Sequence, residues 1–244
     1  MRTLILQSAS HAAESVARFI ARTVRERPDV VLGLATGRTM VPVYRALVKL
    51  HLEGDADFSR VTTFNLDEFD GLPAGHRGTY RAFMHRHLFS KVNLAPAAVH
   101  FPDRAGKDPE SYDRAIENAG GLDLCLAGIG DNGHLGFNEP AALLSARTHL
   151  VRLRPATRRA NAHLFGGRAA DVPARAISMG IGTILGARIV MLLATGPTKA
   201  PIVRRALEGP VTTRVPGSLI QTHPNALVVL DRASAAGLRF AAGQ

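Results

Sequence analysis

The stretch Gly128-Ile129-Gly130-Asp131-Asn132-Gly133-His134-Leu135-Gly136-Phe137-Asn138-Glu139-Pro140 places an imidazole, two carboxylates and two amides within thirteen residues. Histidine is the side chain best suited to moving protons near neutral pH. Glu139 is close enough in sequence to orient the ring of His134. Four glycines between 128 and 136 cost chain entropy unless the backbone needs unusual angles or must approach a ligand. A metal would need another well-placed ligand. His149 and His163 are distant and no HExxH spacing occurs, so no metal is expected. A serine nucleophile lacks its usual G-x-S-x-G turn in this loop. A second acidic pair, Asp67-Glu68, follows an apolar-rich run directly. A carboxylate there can cap a helix or end a turn. Facing a ligand, it can act as a general base tuned by burial and nearby charge.

Two further segments suit an anion. Thr36-Gly37-Arg38-Thr39 joins a presumed strand to a presumed helix, where backbone N–H groups point outward at the positive end of the helix dipole. It is not a Walker loop, since GxxxxGK[ST] is absent. Thr39 as a simple helix cap explains it equally well. Thr195-Gly196-Pro197-Thr198-Lys199 repeats the design with a lysine in the first helical turn. A cation there opposes the dipole, which favours an anion between the two.

The elements that would hold these groups alternate in type. Apolar runs at 3–6, 30–35, 61–65, 122–127, 189–194 and 226–230 read as strands. Helical spacing marks 12–26, 40–52, 80–89, 109–118 and 198–208, with Pro109 in the first turn of its helix. Buried strands alternating with helices imply one doubly wound, mostly parallel sheet with helices on both faces, a Rossmann-like α/β domain spanning 1–244. Such sheets bind ligands beyond the carboxyl ends of their strands, where all four polar segments fall.

Composition narrows the partner. The chain has 244 residues, 46% of them apolar, enough for a sizeable core. Its longest apolar run, 189–194, is far short of the roughly twenty residues of a membrane helix. The N-terminus turns polar too early for a secretory signal. Cys125 is the lone cysteine, which excludes an internal disulfide and points to a cytoplasmic home. The net charge of +10 suggests an anionic partner. Its arginines are scattered, and three tyrosines with no tryptophan offer little for stacking bases. A phosphorylated small molecule fits better than nucleic acid.

Thr63-Phe64-Asn65-Leu66-Asp67-Glu68-Phe69 and the 128–140 loop resemble the two signatures of the glucosamine-6-phosphate deaminases. The resemblance runs from Gly33 to His223, and Gly-His-Leu-Gly-Phe-Asn-Glu-Pro is its specific part. It implies conversion of glucosamine 6-phosphate and water to fructose 6-phosphate and ammonia, without metal or organic cofactor. His134 would open the pyranose ring and Glu139 would orient and charge-balance it. Asp67 would carry a proton from C2 to C1. Asn132 stands where some members have Asp, and an amide can still hydrogen-bond the loop. Thr36, Gly37, Arg38, Thr39, Gly133, His163 and Lys199 form the expected substrate-binding set. His163 replaces a frequent phosphate-binding Arg, and Arg38 replaces a usual Gly or Ser, so either Arg38 supplies the charge that His163 lacks or the pair marks a different phosphosugar. Allosterically activated hexameric members carry basic residues where this chain has His149 and Val151, so no such control is inferred. The expected partner is a phosphosugar, with no membrane or nucleic acid, for a monomer or small homo-oligomer. Two other readings are a 6-phosphogluconolactonase-like hydrolase and a non-catalytic sugar-phosphate sensor on the same fold.

Overall fold

Val, Leu, Ile and Met dominate the runs that read as strands, and nearly all their side chains are buried. Strands covered on both faces need this composition, because neither face meets water. The computed structural model describes residues 1–73, 75–103 and 108–239. Among them the strands are β1 (Arg2–Leu6), β2 (Val31–Leu34), β3 (Thr62–Asn65), β4 (Asp67–Phe69), β5 (Val99–His100), β6 (Leu124–Gly128), β7 (His149–Arg152), β8 (Arg175–Ser178), β9 (Ile189–Ala194) and β10 (Ala226–Asp231). Seven of them form a sheet in the order β1-β10-β9-β6-β2-β3-β5, with every pairing parallel. Helices pack on both faces, as the alternating pattern requires.

Helix Ala9–Glu26 shows how the layers form. Ser8 caps it by accepting the His11 N–H. Val16, Ile20 and Val24 fall on one face and are fully buried. Ala13, Ala17 and Ala21 keep that face thin, so helix Val41–Leu52 packs close beside it.

Several features depart from the sequence reading, among them the two-residue strand β5, which it did not name and which completes the parallel sheet at its edge. Pro109 lies in a turn ahead of its helix, which runs Ser111–Asn118, because Ser111 and Tyr112 hydrogen-bond back to Asp108 and Pro109. Asp67 and Glu68 are not in a turn but in strand β4. That strand belongs to a second, antiparallel sheet in the order β4-β8-β7, which the expectation of a single sheet omitted. These strands have three or four residues each, and β7 shows only weak, partial burial, so no clear periodicity marked them.

Candidate active site

The chain runs from β2 outward to β3 and β5, then returns to β6 on the other side of β2. The strand order therefore reverses between β2 and β6, the place where open α/β sheets leave a crevice. Leu34 is in register with Asn65 and Leu126, and Gly128 with Leu193. The segments after β2, β3, β6 and β9 therefore leave the sheet along one rim, as expected.

The loops after β2 and β9 are structural copies. Ala35-Thr36-Gly37 follows β2, and Ala194-Thr195-Gly196 starts at the last residue of β9. Gly37 and Gly196 have φ of 107° and 90°, a conformation that side chains rarely adopt. Each leads into a single 3₁₀ turn, Arg38–Met40 or Pro197–Lys199, and then a helix with proline in its first turn. Thr39 lies inside its turn and makes no capping hydrogen bond, so the simple cap reading is not what the geometry adopts. Arg38 is exposed, with no ion pair among the described residues. Lys199 is mostly buried, and its Nζ donates to Ile129 O at 2.8 Å and to Asp131 Oδ1 at 2.6 Å.

The 128–140 loop brings Glu139, Asn132 and His134 into one hydrogen-bonded line. Among the described residues Glu139 makes no direct hydrogen bond to the imidazole, and the Asn132 amide stands between them. Asn132 Nδ2 donates to Glu139 Oε2 at 2.7 Å. A carboxylate only accepts, so the amide must turn its NH2 toward it. Its oxygen then faces His134, accepting the backbone N–H at 3.2 Å and sitting 2.7 Å from Nδ1. With the amide oxygen turned to it, Nδ1 is the nitrogen that donates, which leaves the lone pair on Nε2. Desolvation holds the imidazole below its usual pKa and Lys199 adds to this, while Glu139 and Asp131 pull the other way. The neutral ring is thus the form present at physiological pH. A Cβ on Gly130 would lie 2.1–2.4 Å from the ring, so only glycine lets the imidazole lie against this backbone.

Asp67 faces the same loop. A Cβ on Gly136 would stand 3.4 Å from Asp67 Oδ2. Its carboxyl is buried, and burial, with the charge of Glu68 beside it, pushes its pKa up to about 8. All three tyrosines of the chain feel its charge, and each hydroxyl is anchored. Tyr44 donates to Ala35 O. Tyr112 OH lies 2.9 Å from Asn65 O and 3.0 Å from His100 O. Tyr80 donates to Asn161 Oδ1 at 3.1 Å. Glu68 has a different task. Its oxygens accept the N–H groups of Phe69, Tyr80 and Arg81 at 2.8–2.9 Å, closing the N-terminus of helix Tyr80–His87.

The remaining candidates sit further out. The N–H of Gly133 goes to Gly130 O and its carbonyl accepts from Gly217, so both backbone groups are engaged within the protein. His163 is exposed beyond helix Pro155–Asn161, its Nδ1 3.0 Å from Ala160 O. No hydrogen bond or ion pair among the described residues joins it to Arg38. Sequence reasoning missed Thr157, whose buried hydroxyl donates to Glu139 Oε1, and Tyr80 with Asn161. Thr157 stands two residues after Pro155 and reads as an ordinary first-turn residue, so nothing in its spacing announces the contact.

Residues 6–229 match the family model described as glucosamine-6-phosphate isomerases/6-phosphogluconolactonase. The chain belongs to this family. Within it, the chain is 46% identical over 236 residues to glucosamine-6-phosphate deaminase 2 of Giardia intestinalis, covering 95% of this chain and 90% of the relative. It is 42% identical over 246 residues to glucosamine-6-phosphate deaminase 2 of Bacillus subtilis, covering 99% of each. The structure of a monomeric glucosamine-6-phosphate deaminase superposes with TM-score 0.92 at 37% identity, covering 97% of this chain and all of that one. A 6-phosphogluconolactonase from Trypanosoma cruzi superposes with TM-score 0.77 at 17% identity, covering 98% and 97%, which shows the shared family fold alone.

Proposed function

We propose that the protein is a glucosamine-6-phosphate deaminase that turns glucosamine 6-phosphate and water into fructose 6-phosphate and ammonia. The observation that carries this reading is the pairing of two separate proton carriers across one loop. One is His134, whose Nε2 has no hydrogen-bond partner among the described residues; the other is the buried carboxyl of Asp67 facing Gly136. A reaction that opens a ring and then moves a proton between adjacent carbons needs two such groups.

In this mechanism His134 Nε2 takes the proton of the C1 hydroxyl and returns it to the ring oxygen, giving the open aldehyde. The Glu139–Asn132 line steadies the imidazolium that forms in between. Asp67 removes the C2 proton as the C2 ammonium gives one of its protons to O1, forming an enolamine, then delivers its proton to C1, leaving a protonated imine at C2. Water adds to C2, the C2–N bond breaks, and ammonia departs with the ketose. The phosphate is held by the paired loops at Thr36–Thr39 and Thr195–Lys199. That anchoring presents C1 and C2 to Asp67 and removes orientational freedom ahead of the chemistry.

The same reading treats residues 1–244 as one catalytic unit, supported by the continuous buried cluster beneath the rim. It places the enzyme in the cytoplasm, working as a monomer or small homo-oligomer on a phosphosugar. No described helix is long and apolar enough to cross a membrane. Ammonia release from a panel of hexosamine 6-phosphates, with 6-phosphogluconolactone hydrolysis alongside, tests the assignment. Release from the glucosamine ester supports it, and lactone hydrolysis without ammonia release refutes it.

A further inference from the structure

We propose that Thr157 is a positioning residue that fixes the tautomer of His134 from the far side of Glu139; this rests on the deaminase reading and adds a residue to it. Glu139 is buried, so each oxygen needs a donor. Oε2 has Asn132 at 2.7 Å, with Arg154 Nε 3.8 Å away. Oε1 has the hydroxyl of Thr157, itself buried. With Oε1 committed to Thr157, the carboxylate plane is set and Oε2 is presented to the Asn132 NH2. That contact sets which end of the amide faces His134, and the amide oxygen sets which ring nitrogen holds the proton. Three hydrogen bonds thus lead from Thr157 to a free Nε2.

The helix that carries Thr157 is held in rotation. Asn161, one turn later, donates from Nδ2 to Thr157 O at 3.0 Å and accepts from Tyr80 OH at 3.1 Å. Arg154, just before the helix, donates to Pro140 O in the catalytic loop. The hydroxyl is therefore aimed at Glu139 by contacts at both ends of the helix. A threonine that merely packed would be replaceable by valine, which keeps its shape and loses only the donor.

The test pairs Thr157→Val with Thr157→Ser. Nitrogen-15 NMR of the ring of His134 in substrate-free enzyme, identified by its absence in His134→Gln, reads the tautomer whatever reaction the enzyme performs. Wild type and Thr157→Ser should show the proton on Nδ1. Thr157→Val should show a mixture, with kcat lowered at least about tenfold and KM within about twofold, while Thr157→Ser keeps most of the rate. A valine variant with the wild-type tautomer overturns the proposal, whatever its rate. So does a serine variant as impaired as valine, which would assign the effect to the methyl group. If Thr157→Val does not fold, the serine variant and Thr157→Ala carry the same comparison.

Discussion

Asn132 Oδ1 lies 2.7 Å from Nδ1 of His134, so a group with no charge of its own decides which nitrogen of the imidazole is left unprotonated. The amide succeeds because Glu139 holds its other end. Position 132 therefore couples the buried carboxylate of Glu139 to the imidazole of His134.

Removing that coupler should strand both. Asn132→Leu is expected to lower kcat by about 10²-fold, the lower end of what a general acid–base group contributes, with KM changed much less. Steady-state kinetics at saturating phosphosugar check this. A kcat near wild type would mean that the tautomer does not depend on the amide.

Much of the candidate site was legible in the chain, but unevenly. His134, Glu139 and Asp67 announce themselves because glycines and polar groups gather immediately after strands, and a parallel sheet brings strand ends together. That Glu139 reaches His134 through Asn132 was not legible, since spacing only brings the carboxylate near the ring and geometry alone shows the amide between them. Strand β4 was hidden because three residues carry too little periodicity, and its pairing with Ser178 lies over a hundred residues away. Thr157 was invisible for the same reason, since its partner is set by how one helix docks on a distant loop.

Asp67 gives a prediction with a definite sign. Its carboxyl ionises near 3.8 in an open chain and near about 8 in the fold. Between these values the folded protein holds a proton that the unfolded chain has lost. Stability therefore falls as pH rises through this window, and the cost is complete above about 8. Asp67→Asn should melt higher than wild type at alkaline pH and equal to it below 3.8, as read by thermal unfolding across pH. In the wild type, kcat/KM, which reports the free enzyme, should rise through a limb near about 8. An unchanged melting profile in the variant would remove the buried-carboxylate cost.

Lys199 should matter for binding more than for chemistry. A hydrogen bond to a charged group is worth roughly 1.5–3 kcal/mol, so Lys199→Ala should raise KM by about tenfold or more while kcat falls much less. Asp131 holds the same ammonium at 2.6 Å but is itself exposed, and Asp131→Asn should leave affinity undiminished. Inhibition by fructose 6-phosphate measures both. An unchanged inhibition constant in Lys199→Ala would make the lysine a structural partner of Ile129 and Asp131 only.

Arg38 and His163 test whether one charge can stand in for the other across the proposed phosphate site. Arg38 stands exposed beside Gly37 without an ion pair among the described residues, and its planar fork can grip two phosphate oxygens. Arg38→Ser should weaken phosphosugar binding, and adding His163→Arg should restore part of the loss. A double-mutant cycle reads this as non-additivity. Simple additivity would place the two side chains on different parts of the ligand, or on none.

The most direct measurement counts products from glucosamine 6-phosphate with wild type and Asp67→Asn side by side. The account predicts one ammonia and one fructose 6-phosphate for each sugar consumed by wild type. It predicts that Asp67→Asn still binds the sugar phosphate but turns it over about 10²–10⁴-fold more slowly. Near wild-type deamination by the variant, or wild-type enzyme that hydrolyses 6-phosphogluconolactone and releases no ammonia, would contradict it.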